Sequence, residues 1–435
     1  MGEVTFICKR TVISTKAVEP GKFSPLSVLD RIMEGNHVRI VLYYNLPTRR
    51  RPGELTKRLR ETISEALSAY PPVIGRLVRT PEGHWTVKCN DAGVRMVEAK
   101  VNGTVQEWLQ NVDREKELML VHWEEIYHKP YFWSTFYVQI TEFECGGLAI
   151  GLSCSHMLSD PTSATMLIKV WADTTLGGQT APAPVFRPLP TPPQQAAAAN
   201  TTTNPTSIDH YKSGTGGGGG GACTPPPTST ITLQFSQESV ARCVAAAGPH
   251  ATPFDALTAL LWTRIRRIRG AGPELSLSIC FDARSVLGLE SGFFGSCMVF
   301  NKVAGAGLSE DVAGAATAIR EAGMDGDGVM EVIEWLERES EVRLDGGNND
   351  VVCVNLESVG VYGAVFEGDA APLRAACYVE PVGGAGKVLI MPAVEPGGRV
   401  AAVTLPEDEA KKLLEDTWVE LQGVVPVVVM GLPKK

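Results

Sequence analysis

Apolar and polar positions alternate along this chain in two rhythms, and both recur in each half. Arg39 to Tyr44 (Arg-Ile-Val-Leu-Tyr-Tyr) reads as a strand. Leu55, Leu59, Ile63, Ala66, Leu67 and Tyr70 recur at helical spacing, and Pro71-Pro72 stops that helix. Phe136–Ile140 and Leu148–Ser153 read as paired strands joined through Gly146-Gly147. In the second half, Pro253–Arg269 is a helix whose basic end (Arg264, Arg266, Arg267, Arg269) suits the helix dipole. Val351–Asn355 and Val388–Met391 are strands. Strands and helices mixed through both halves predict an α/β fold, with mixed α+β sheets as its variant.

The rhythm is lost between residues 181 and 230. This stretch is rich in Pro, Ala and Thr and holds the glycine run Gly216–Gly221, so it is expected to be a flexible or extended linker without a core. The expected division is 1–180, an N-terminal domain; 181–230, the linker; and 231–435, a C-terminal domain.

Composition narrows the function. Hydrophobic residues make up 44% of the chain, enough for sizeable cores, and the net charge of -9 argues against nucleic acid as a partner. The basic run Arg49-Arg50-Arg51 lies between prolines and is expected to be a solvated loop. The ten cysteines form no Cys-x-x-Cys and, with the histidines, no zinc spacing, so no metal site is expected. Cys154 and Cys280 sit among apolar residues, as free thiols do in a reducing compartment. No apolar run follows Lys9 and Arg10, and no stretch of about 18 apolar residues occurs, so a cytoplasmic location without a spanning helix is expected. The glycines at 214–219 match a dinucleotide fingerprint only because nearly all of the segment is glycine.

The chemistry is expected where the strand from Leu148 meets Ser155-His156. Asp160 is a good N-cap and Pro161 a good first helical residue, with Ala164, Leu167, Ile168 and Trp171 as the apolar stripe behind them. A histidine held between a strand end and a helix start is well placed for a general base. Seven histidines give about one chance in three of a random Asp at this spacing, and Asp160 is fully explained as a cap.

The surroundings of His156 resemble the BAHD family of plant acyl-CoA-dependent transferases. Leu26-Ser27-Val28-Leu29-Asp30 is similar to its Leu-Ser-x-x-Asp, and Tyr70 to Leu77 to its Tyr-Pro-x-x-Gly-Arg-Leu. His156 to Asp160 matches His-x-x-x-Asp. Asp282-Ala283-Arg284 and Gly292-Phe293-Phe294-Gly295 resemble its Asp-x-Arg and Gly-Tyr-Phe-Gly-Asn, with Ser296 in the last place. The resemblance implies two similar CoA-dependent-acyltransferase-like domains joined by a long crossover, with a channel between them. It implies acyl-CoA as substrate or ligand, with no cofactor bound permanently. His156 would be the catalytic base on an acceptor hydroxyl or amine. Asp160 would hold geometry, with Arg284 as its ion-pair partner.

The family's second motif, Asp-Phe-Gly-Trp-Gly, is degenerate. Its expected place is Ser358-Val359-Gly360-Val361-Tyr362, where Asp and Trp are both missing. That loss resembles the Eceriferum/Glossy cuticular-wax subgroup. So do Val361 to Phe366, Val12 to Lys16 and His122 to Tyr127. This implies promotion of very-long-chain fatty acyl elongation with an elongase condensing enzyme, peripherally on the endoplasmic reticulum. The intact His156 and Asp160 keep a conventional O- or N-acyltransferase as the alternative. The chain is expected to be a monomer that binds no nucleic acid. The run Tyr131-Phe132-Trp133 is expected to pack in the core.

Overall fold

The computed structural model describes residues 2–19, 21–46, 51, 53–125, 132–178, 181–190, 205–214, 227–270, 275–303, 311–339, 342–344, 350–383, 385–415 and 426–432. Arg49, Arg50, Ile126, Tyr127, Tyr131 and the Gly216–Gly221 run lie outside them.

The chain divides into two units. Unit 1 comprises residues 1–188 together with 290–296 and 360–380. Its elements begin with β1 (Val4–Val12), β2 (Phe23–Pro25), α1 (Val28–Arg31), β3 (His37–Tyr44), α2 (Glu54–Ala66), β4 (Arg76–Arg79) and β5 (Trp85–Lys88). They continue with β6 (Val94–Val101), α3 (Val105–Asn111), α4 (Arg114–Leu118), β7 (Phe136–Phe143), β8 (Leu148–Ser155) and α5 (Pro161–Leu176). Unit 2 holds α6 (Pro205–Gly214), β9 (Thr228–Phe235), α7 (Gln237–Ala247), α8 (Pro253–Arg269), β10 (Leu277–Asp282), β11 (Met298–Val303), α9 (Val312–Glu321), α10 (Gly326–Arg338) and β12 (Val351–Asn355). The chain then returns to unit 1 for β13 (Arg374–Glu380). It closes in unit 2 with β14 (Lys387–Pro392), β15 (Arg399–Pro406), α11 (Glu407–Glu415) and β16 (Val427–Met430).

The main sheet of unit 1 has the order β1-β6-β7-β8-β3-β13, antiparallel except for β6 and β7. A small antiparallel sheet β2-β5-β4 lies beside it in sequence. Every residue of β8 is buried, as its unbroken apolar run requires of a central strand covered on both faces. One face packs on α3, where Tyr43, Trp108, Phe143 and Ala149 share a core. α2 packs against α5, and the Trp171 indole donates to Leu59 O at 2.9 Å. Unit 2 has the order β11-β10-β12-β14-β15-β9-β16, parallel only at β10–β12 and β12–β14. Its core joins this sheet to α7, α8, α9 and α11.

Three expectations change. The stretch 181–230 is not coreless throughout: it contains α6, whose Ile208, His210 and Tyr211 are buried against unit 2. Two anchoring rings and a polar pin suffice there, and a reading of composition averages them away. The second half is not one continuous domain, because 290–296 and 360–380 belong to unit 1. In the aromatic run, Trp133 is buried as expected, but Phe132 is 70% exposed.

Candidate active site

His156 follows directly on β8, and its backbone is tied to both flanking strands. Ser155 N–H donates to Thr135 O at 2.9 Å, just before β7. His156 N–H donates to Asn36 O at 2.9 Å, just before β3. A turn closed by Leu158 N–H to Ser155 O (3.1 Å) then delivers the chain to α5. His156 is 2% exposed and Asp160 is fully buried. Asp160 caps α5: its carboxylate accepts Ser163 N–H at 2.8 Å, and Pro161 occupies the first turn, where no N–H is needed.

Around the same cap lie the Gly292–Ser296 and Ser27–Asp30 segments. Ser163 Oγ donates to Gly295 O at 3.0 Å and accepts Gly295 N–H at 3.1 Å. Ser296 N–H donates to Asp30 at 2.7 Å, while Asp30 closes a capping box with Ser27. Burial pushes the Asp30 carboxyl up to about 6; hydrogen bonds from Ser27 and Ser296 oppose this, and the negative charge of Asp160 adds to it. Tyr70 meets Phe294 edge-on, 5.1 Å between centroids. The backbone crowding fixes two glycines. A Cβ at Gly292 would lie 2.0 Å from Ala183 O, and one at Gly75 would lie 2.6 Å from Lys88 O. Ser296 serves Asp30 through its backbone, so Ser in place of Asn leaves this contact intact. The buried Arg76 guanidinium donates to the carbonyls of Gly75, Ala92 and Gly93.

The sequence pointed to His156 and Asp160, and through the resemblance to Asp30, Gly295 and Ser296, but not to Asn36 and Ser163, which join them. The Ser27-x-x-Asp30 box was a readable signal for Asp30; the backbone carbonyl of Asn36 leaves none.

Arg284 belongs to unit 2, where its guanidinium donates to Asp282 at 2.9 Å and its backbone N–H to the same carboxylate at 3.0 Å. Of the expected second-motif residues, Ser358 and Val359 belong to unit 2, and Gly360, Val361 and Tyr362 to unit 1. Val361–Gly363 forms a single 3-10 turn beside α5. A Cβ at Gly363 would sit 3.5 Å from Lys169 Cε. Past the turn, Phe366 is fully buried against Trp171 (4.8 Å, 73°) and Tyr44 (5.8 Å, 86°), and Tyr44 Oη donates to Ala364 O at 2.8 Å. The loop in this place therefore packs on the helix that starts at Asp160.

Among the described residues, no helix is long and apolar enough to cross a membrane. Residues 2–418 match the family model described as Transferase family. The chain is 27% identical to Protein ECERIFERUM 26-like of Arabidopsis thaliana, over 93% of this chain and 92% of that protein. It is similar in fold to the crystal structure of vinorine synthase, with a TM-score of 0.73, 20% identity, and 98% and 100% of the two chains covered. F. graminearum TRI101, solved with coenzyme A and T-2 mycotoxin, gives a TM-score of 0.75 at 16% identity, covering 94% of this chain and 100% of its own. With its match running nearly end to end, this chain belongs to the transferase family of BAHD acyltransferases.

Proposed function

We propose that this protein binds acyl-CoA and promotes very-long-chain fatty acyl elongation for cuticular wax, together with an elongase condensing enzyme at the endoplasmic reticulum. The observation that carries this reading is a split in the machinery. The strand end bearing His156 is held intact, while the loop of the second motif has lost its chemistry. At Ser358–Tyr362, the expected place of the motif, Asp and Trp are both missing. Just beyond it, Phe366 packs against Trp171 of α5. The likeness to ECERIFERUM 26-like along most of both chains supports the same reading.

A second reading is conventional acyl transfer, favoured by the retained His156 and Asp160. There His156 takes the proton from an acceptor hydroxyl or amine as that atom attacks the thioester carbonyl, and Asp160 fixes the turn that presents the ring. CoA leaves as the thiol.

Leaf wax in plants overexpressing the protein or its His156→Ala variant, at matched protein levels, separates the two. Longer chains that survive the substitution support the elongation role. Longer chains abolished by it, in a variant that still folds, support chemistry at His156. Unchanged wax with both proteins overturns the first reading, and acceptor-dependent CoA release by purified protein establishes the second.

A further inference from the structure

Beneath the strand end of His156 lies another imidazole. His37 opens β3, in register with Ser155 on β8 and with Glu380 on β13. Its neighbour Asn36 accepts the His156 N–H. Residues 36–37 thus hold residues 155–156 from the side, and the His37 ring is 6% exposed.

The environment of the ring is ionic. His37 Nε2 lies 2.8 Å from a Glu380 carboxylate oxygen and 3.1 Å from Arg39 Nη2. Its Nδ1 lies 3.7 Å from Glu125. Arg39 Nε is 3.2 Å from Glu380, and Arg114 on α4 pairs with the same carboxylate. Further along the segment before β7, His122 pairs with Glu124 at 3.1 Å, and Lys9 also reaches Glu124. The ring stacks on Trp123, with 5.0 Å between centroids and 18° between planes.

One nitrogen cannot serve both neighbours in the same state. In the neutral ring with its proton on Nδ1, toward Glu125, Nε2 accepts from Arg39; once the ring is protonated, Nε2 donates to Glu380. The two states tie the ring to different strands, β13 or its own β3. We propose that His37 is a titratable positioning residue: gain of a proton moves its hydrogen bond from Arg39 to Glu380 and changes how the strand end under His156 is held. The link to function rests on the reading of His156 as the working group of the site; the titration itself does not.

A protonated imidazole stacked on an indole quenches its fluorescence, so Trp123 reports on His37 directly. Intact protein is titrated between pH 8 and pH 5, alongside His37→Gln, Trp123→Phe and Glu380→Gln, each checked for folding by circular dichroism. The expected result is a quenching step in wild type within that range, lost in His37→Gln and in Trp123→Phe. In Glu380→Gln it should move down by about one pH unit, because a carboxylate that favours the charged ring is gone. The His156 ring resonances should follow the same step in wild type and lose it in His37→Gln. A step that survives His37→Gln, or wild type without a step, overturns the proposal, as does a His156 signal indifferent to His37. Should His37→Gln fail to fold, the Glu380→Gln shift decides alone. A wax phenotype indifferent to His156 would instead sink the functional reading and leave the fluorescence step in place.

Discussion

Each unit buries a carboxylate under a segment that arrives from far along the chain, and the two are bound differently. In unit 1, Glu117 on α4 is fully buried; it accepts Tyr43 Oη at 2.9 Å and Tyr378 Oη, and pairs with Arg374 at 3.2 Å. Arg374 and Tyr378 belong to β13. In unit 2, Asp350 accepts Ser278 Oγ at 2.9 Å and Ser276 Oγ, and lies 3.5 Å from the partly exposed Lys302. His210 on α6 reaches it through Ser278, at 2.9 Å, while stacking on Phe300 at 4.7 Å. Thus β13 meets its buried carboxylate with a full charge, whereas α6 meets Asp350 with an imidazole that burial holds against charging, 3.9 Å away and bridged by Ser278. A buried charge is costly to leave alone, so the arginine pair fixes register strictly; a histidine bridged by a serine hydroxyl holds its segment more loosely.

The largest effect should come from breaking the ionic key. Glu117→Ala leaves Arg374 buried without its carboxylate and should cost about 3–5 kcal/mol in denaturant unfolding. Adding Arg374→Met should recover much of that loss; a double variant no better than the single would mean that the tyrosines, not the charge, carry the key.

The bridged histidine should show itself through pH. Burial lowers the native His210 to about 4, with Lys302 and Lys387 adding to it and Asp350 opposing, whereas an unfolded histidine titrates near 6.5. The unfolded chain therefore takes the proton first. This contribution is complete above about pH 6.5 and is lost as pH falls toward 4, by about 2–3 kcal/mol. In His210→Gln the denaturation midpoint should vary less over that window; an unchanged slope would assign the pH dependence elsewhere.

Loss of the α5 cap is a smaller test and bears on the site. Asp160→Ala should cost about 1 kcal/mol, near the usual value for a cap. A much larger loss would mean that Asp160 does more than cap. Smallest of all, Lys57→Ala removes an exposed pair with Glu61 on α2 and should change stability by less than about 0.5 kcal/mol.

These clusters also mark how far the sequence could be read. β8, the His156 turn and α5 were legible because every signal there is local: an apolar run, then a cap, then Pro161. α8 was legible from end to end for the same reason, its Thr252–Asp255 box and Pro253 opening it and Gly270 closing it. α6 was hidden, since Ile208 and Tyr211 are its few apolar anchors and its remaining hold is on Ser278 and on the β11 edge, where Phe300 N–H donates to Tyr211 Oη. The transfer of β13 to the first sheet was hidden as well. Arg374, Tyr378 and Glu380 share one face at period two, but nothing near them names Glu117, Arg114 or His37 as partners.

The return of β13 also sets a timetable. The edge of β3 that it covers is made about 330 residues earlier, so at ribosomal speeds of about 5–20 residues per second that edge waits roughly 15–65 s for its partner. Through that interval the first sheet presents the bare backbone of His37–Tyr44, a strand of mostly apolar residues, to whatever else is being made nearby. A nascent chain of this design keeps that edge uncovered until β13 is synthesised, and truncations that end before Arg374 should aggregate rather than leave a soluble first half.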